Sequence, residues 1–147
     1  MSIEDDVALL ERVPTLRLLG RESLRMLAIG SEQREVPRGD FLFQQGEDAD
    51  SGFVVQRGSF RIDDGAGAEM TVGPGTLLGE LALVVKMRRP SSATALEYAT
   101  VVRITRSLFQ RVLESDPAAA HRLRDEFASR TSQIASDILV AGGKLST

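Results

Sequence analysis

The stretch Gly75-Thr76-Leu77-Leu78-Gly79-Glu80-Leu81-Ala82-Leu83-Val84-Val85-Lys86-Met87-Arg88-Arg89-Pro90-Ser91-Ser92-Ala93-Thr94-Ala95 decides how this chain is read. Gly79 permits a sharp turn after a strand. Glu80-Leu81-Ala82-Leu83 then forms one short helical turn. The first amides of such a turn have no partners inside it and point outward, which suits an anion. The Glu80 carboxylate stands beside that position, where it can accept hydrogen bonds from a sugar hydroxyl. Arg88, Arg89, Ser91, Ser92 and Thr94 follow at once, and guanidinium and hydroxyl donors are the usual partners of a phosphate.

Working outward, nine of the 13 glycines fall between Gly39 and Gly79, and none falls between Glu80 and Ala141. Closely spaced glycines mean many tight turns and hence many short strands. Phe41-Leu42-Phe43, the apolar run Gly52 to Gly58, Phe60-Arg61-Ile62, Met70-Thr71-Val72, Ala93 to Ala95 and Thr100 to Ile104 are the candidate strands. Gly73-Pro74-Gly75 is a strong turn signal. Asp63-Asp64 before Gly65 reads as a turn rather than a catalytic pair. Many short antiparallel strands over about 33–105 suggest a jelly roll or small barrel.

The flanks carry helical periodicity instead. Ser2 and Asp5 resemble a capping box, with Ile3, Val7 and Leu10 at helical spacing behind it. Pro14 ends or restarts that helix. A second helix runs from about Arg21 to Ile29, with Leu24, Leu27 and Ala28 inward and Gly30 as its stop. After about Arg106, the residues Ser107, Leu108, Phe109, Val112 and Leu113 suggest a short helix ending near Asp116-Pro117. Pro117 suits the start of a longer helix to about Leu139. Leu123, Phe127, Ile134 and Ile138 form its apolar stripe, with Thr131 filling the gap. The stripe reads first as core packing, with a dimer seam as the sharper alternative. His121 reads as an exposed helix residue.

With 147 residues, the chain has the length of one ordinary domain, taken as 1–147, and can bury an adequate core without metals or disulfides. It has no cysteine and one histidine, which excludes thiolate chemistry and argues against a multi-histidine zinc site. No nucleophile, base and orienting group can be assembled from its motifs, so an enzyme is not expected. The balance of 18 basic and 21 acidic side chains argues against a protein built to hold nucleic acid. No apolar run is long enough to span a bilayer. The acidic start Met1 to Asp6 is unlike a signal peptide, so a cytoplasmic location is expected.

These motifs together resemble the cyclic nucleotide-binding domain of the catabolite-activator and kinase-regulatory-subunit type. Gly79-Glu80-Leu81-Ala82-Leu83 matches the core of that family's phosphate-binding cassette. Gln45-Gly46-Glu47 and Val54-Val55-Gln56-Arg57-Gly58-Ser59 are similar to its early strand-turn signatures, and Val72-Gly73-Pro74-Gly75 to its turn before the cassette. The resemblance covers roughly residues 12–139. It implies a mainly β fold, an eight-stranded jelly-roll-like β-roll, with N-terminal helices and a long C-terminal helix. It also implies that Glu80 holds the ribose 2′-hydroxyl, and that the cassette amides (Gly79, Leu81, Ala82) and an arginine hold the cyclic phosphate. The long helix would cover the base.

One departure concerns that arginine. Aligned on Pro90, its position is Ser91, and the phosphate loses its charged partner. Aligned from Glu80, it is Arg89, nine residues on, with two extra residues before Ala93-Thr94. The expectation is a stand-alone regulatory module for cyclic AMP or cyclic GMP, without a prosthetic group. Binding would be coupled to movement of the C-terminal helix. The alternative is a degenerate member acting as a protein-interaction or dimerisation module without nucleotide. A homodimer through the C-terminal helix and an effector protein of unknown identity are the expected partners. Only 42 residues follow Thr105, so no helix-turn-helix and no DNA binding are expected.

Overall fold

A computed structural model describes residues 2–126 and 128. Three helical pieces come first: α1 (Ile3–Glu11), a 3-10 turn (Leu16–Leu18) and α2 (Arg21–Gly30). The capping box at the start of α1 is present, with Ser2 Oγ accepting from the Asp5 amide and the Asp5 carboxylate accepting from the Ser2 amide. Val7, Leu9 and Leu10 are its buried residues, while Ile3 is 37% exposed, so Leu9 and not Ile3 completes the inward face. Gly30 is the last residue of α2 rather than a stop beyond it. A Cβ there would lie 2.6 Å from the Leu108 side chain, so this glycine serves close helix packing.

Ten antiparallel strands follow: β1 (Glu32–Val36), β2 (Phe41–Phe43), β3 (Asp48–Ala49), β4 (Ser51–Arg57), β5 (Phe60–Asp63), β6 (Glu69–Val72), β7 (Leu77–Leu78), β8 (Met87–Arg88), β9 (Ser92–Ala95) and β10 (Ala99–Thr105). Eight of them form two four-stranded sheets, in the orders β1-β10-β4-β7 and β2-β9-β5-β6, and β3 pairs with β8. This is the expected eight-stranded roll with an added two-stranded ladder. The Asp63-Asp64 turn is also as expected, with Asp63 Oδ1 accepting from the Gly65 amide and Asp64 Oδ1 from the Ala66 amide.

β4 explains why one run of sequence is apolar throughout. Alternation sends Phe53 and Val55 into the roll interior, beside Phe43 and Phe60, and sends Val54 to the other face. That second face is covered by the helices, whose Leu10, Leu16, Leu27 and Phe109 belong to the same cluster as Val54. The roll interior is filled by large residues set opposite small ones, Phe43 against Ala93 and Phe60 against Ala95. α3 (Arg106–Glu114) begins directly at the end of β10, where Thr105 Oγ1 accepts from the Leu108 amide. A further helix, α4, spans 117–126 and begins at Pro117 as expected; exposed His121 lies on it, 3.8 Å from Asp125. Leu123 is buried in the helix-side cluster. Phe127, Thr131, Ile134, Ile138 and Leu139 lie outside the described residues.

Two consequences are measurable. Thr105→Ala removes the α3 cap and should lower stability by about 1 kcal/mol in urea denaturation. At the start of α4, Asp116 accepts from Ser23 Oγ at 2.9 Å and from the Ala119 amide at 3.2 Å. The Ser23 hydroxyl, then the Ala119 amide, hold its carboxyl below the usual range. A lowered carboxyl stabilises the fold above its unfolded value and loses that effect as pH falls through the folded value. The stability gap between wild type and Asp116→Ala should therefore be full at pH 7 and narrow below about pH 4.

Candidate functional site

The segment from Leu78 to Leu83 joins the two cores. Leu78 belongs to the roll interior and Leu83 to the helix-side cluster. The chain crosses between them at Gly79, which has φ +74°, a left-handed conformation. Glu80–Leu83 then forms a single 3-10 turn, as the sequence suggests, with Leu81 exposed and Ala82 buried.

The structure brings Arg89 back to this turn. Arg88, the preceding residue, is exposed beside Asp48 at 3.8 Å. Arg89 is 5% exposed. Its backbone is held by the turn after β2, its amide donating to Glu47 O at 2.8 Å and its carbonyl accepting from the Gly46 amide at 2.9 Å. Its side chain runs inward, where Nη2 donates to the Ser51 carbonyl at 2.8 Å. The guanidinium carbon lies 4.3 Å from the centre of the Phe43 ring and 5.6 Å from that of Phe53. Nη1 faces the Cα of Gly79, so closely that a Cβ there would overlap it. Nη1 is buried and has no hydrogen-bond partner. Burial draws the guanidinium pKa down, and the Asp50 and Glu47 carboxylates work against that.

The other candidates are placed differently. Glu80 Oε2 accepts from the hydroxyl of Thr15, a buried residue of the N-terminal segment, at 3.1 Å. Ser92 Oγ accepts from the Gln45 amide at 2.9 Å, bracing the same turn that holds Arg89. In β9, Ala93 and Ala95 point into the roll, so Ser92 and Thr94 face away from the interior in which Arg89 lies. Ser91 is half-buried in the connection between Arg89 and β9. Behind the turn, Arg106 at the start of α3 donates through Nε to the Ala82 carbonyl at 2.8 Å and through Nη2 to the Ala49 carbonyl.

Sequence reasoning missed Phe43, Phe53, Ser51, Thr15 and Arg106. The first two show only as strand apolars, and the Thr15 contact spans 65 residues, a distance at which no local pattern operates.

A left-handed glycine, a one-turn helix and an arginine returning to it are thus brought together in a β-roll flanked by helices. The sequence profile of the cyclic nucleotide-binding domain matches residues 33–116, more than half of the chain, and the chain belongs to that family. It is 33% identical over 135 residues to an uncharacterised NTE family protein of Mycobacterium tuberculosis, covering 84% of this chain and 23% of that protein. It is 30% identical over 111 residues to the cAMP-dependent protein kinase regulatory subunit of Eremothecium gossypii, covering 74% of this chain and 24% of that one. The chain thus spans about a quarter of the length of these relatives. Among solved structures, a cyclic nucleotide-binding-like protein from Brucella abortus superposes with a TM-score of 0.67 at 35% identity, over 75% of this chain and 98% of that one. Among the described residues, no helix is long and apolar enough to cross a membrane.

Gly79→Ala tests the geometry without any ligand. It places a side chain at positive φ and against Nη1 of Arg89. A loss of about 1–2 kcal/mol is expected in chemical denaturation, whereas Gly73→Ala, with nothing near its Cβ, should be close to neutral.

Proposed function

We propose that this chain is a cyclic nucleotide-sensing regulatory module whose ligand is cyclic AMP or cyclic GMP. The observation that carries the reading is Arg89: a buried cation with an open donor aimed at the Gly79 turn. An unpaired buried charge is costly, and an anion seated at the turn relieves that cost. The cyclic phosphate would lie against the amides of Gly79 and Leu81 and on Nη1 of Arg89, with Ser91 the nearest of the loop hydroxyls in sequence. The Ala82 amide, also expected to face the phosphate, already donates to the Gly79 carbonyl at 3.1 Å, closing the 3-10 turn. Glu80 would take the ribose 2′-hydroxyl. Ser92 and Thr94 brace the loop and the outer face in this reading. The chain acts by binding and not by catalysis, in the cytoplasm, and passes its state to an effector whose identity the longer relatives do not supply.

Coupling to the C-terminal helix follows the contact between the turn and α3. Arg106 ties the Ala82 carbonyl to the first residue of α3. Leu83, Leu113 and Leu123 line a cavity of about 410 Å³ between the turn, α3 and α4. A shift of the turn on ligand binding would thus be felt by both helices. The homodimer through the C-terminal helix belongs to the same reading.

Calorimetric titration of the purified chain with cyclic AMP and cyclic GMP tests it. One of the two should bind below millimolar concentration. Arg89→Gln should weaken that binding ten- to a hundredfold, the worth of a charge-assisted hydrogen bond of about 1.5–3 kcal/mol. Arg88→Ala should change it less than twofold. If neither nucleotide binds at millimolar concentration, the nucleotide-free interaction module replaces this reading.

A further inference from the structure

We propose that Phe43 and Phe53 are positioning residues for the anion: their rings hold the Arg89 cation where an acid would normally hold it, and so keep its charge and its Nη1 donor for the ligand. The proposal rests on the reading of Arg89 as the phosphate partner and adds what makes that arginine effective.

A guanidinium this deeply buried needs compensation. Its common partner is a carboxylate forked across two N–H groups, which cancels the charge and occupies the donors. Here no carboxylate among the described residues is in ion-pair contact with Arg89. The two acids that act on it are Asp50 and Glu47, and Asp50 is already bonded to Arg103 at 3.3 Å. Besides Gly79, the guanidinium meets one carbonyl and two rings. The rings are themselves stacked, with centres 6.0 Å apart and planes inclined by 29°. Both lie within the range of about 6 Å over which a ring face attracts a cation.

The chemical difference matters at Nη1. A ring quadrupole stabilises the cation through its face and brings no negative charge with it. The rings occupy no N–H donor as a carboxylate would: Nη2 donates to the Ser51 carbonyl, and Nη1 meets Gly79 with no hydrogen-bond partner. The platform comes from β2 and β4, strands outside the turn, so the direction of Nη1 is set by the roll. Small Ala93, opposite Phe43, leaves room for the arrangement.

Phe43 is the residue to test, because Phe53 also lies 5.7 Å from Arg34 and its replacement would disturb two cations. The whole chain is titrated calorimetrically with whichever cyclic nucleotide the wild type binds more tightly. Phe43→Leu should weaken binding about tenfold, and Phe43→Tyr, which keeps the ring face, less than threefold. On an Arg89→Gln background, Phe43→Leu should add less than twofold. An equal effect with and without Arg89, or an unchanged affinity in Phe43→Leu, would overturn the proposal, since Phe43 would then only fill space. If the wild type binds neither nucleotide, the proposed function fails by itself. The side-chain N–H resonances of Arg89 then decide the platform. They should be ring-current shifted, and should move on titration with inorganic phosphate in wild type but not in Phe43→Leu. Unshifted resonances, or no response of the wild type to phosphate, would overturn it.

Discussion

A positive charge buried without an acid beside it is the constraint on which the candidate site depends. In a small domain, one uncompensated ion costs a large part of the total stability. The fold meets this cost with several weak partners: the Ser51 carbonyl, the Phe43 and Phe53 faces, and the more distant Asp50 and Glu47 carboxylates. None of these closes the Nη1 donor. The segment that must approach that donor is Gly79, and only a glycine fits there. Any side chain would overlap the guanidinium, and the turn requires a left-handed backbone.

The same turn connects two cores that are otherwise separated by the β1-β10-β4-β7 sheet. Leu78 is fixed in the roll interior and Leu83 in the helix-side cluster, so the 3-10 turn cannot shift without repacking one of them. Arg106 adds a polar tie from the Ala82 carbonyl to α3. From the N-terminal side, Thr15 bonds Glu80 and Arg12 bonds the Pro74 carbonyl at 3.3 Å. The connection after α1 and the start of α3 are therefore both in direct contact with the 3-10 turn, at Glu80 and at Ala82. Close-packed interfaces of this kind respond to small displacements by changing arrangement rather than by deforming smoothly.

What the sequence made legible follows the range of each interaction. The Gly79–Leu83 turn, the capping box at Ser2 and the helix start at Pro117 are local, and all three are where the pattern of residues places them. Six of the ten strands were legible from the glycine spacing; β1 was not, because four of its five residues, Glu32 to Glu35, are exposed and polar. The two-residue strands β3, β7 and β8 were not, because pairs such as Asp48-Ala49 are too short to show alternation. Arg89 was half legible. Its spacing from Glu80 pointed to it, and Pro90 pointed to Ser91 instead. The partners of Arg89 were not legible at all, since Phe43, Ser51 and Phe53 meet it only through the pairing of distant strands.

The position of Pro90 has its own physical account. A proline disfavours the helical conformation in the residue before it and pushes that residue toward extended backbone. Arg89 is that residue, and an extended backbone suits the two hydrogen bonds it makes to Gly46 and Glu47. Extension also continues the alternation of β8. Arg88 faces solvent beside Asp48, so Arg89 faces the interior. The Ser92 hydroxyl on the Gln45 amide then fastens the far side of the loop to the same turn. Pro90-Ser91 thus bridges two points anchored to Gln45-Gly46-Glu47. A proline directly after Arg89 therefore favours the extended backbone on which the guanidinium is turned inward.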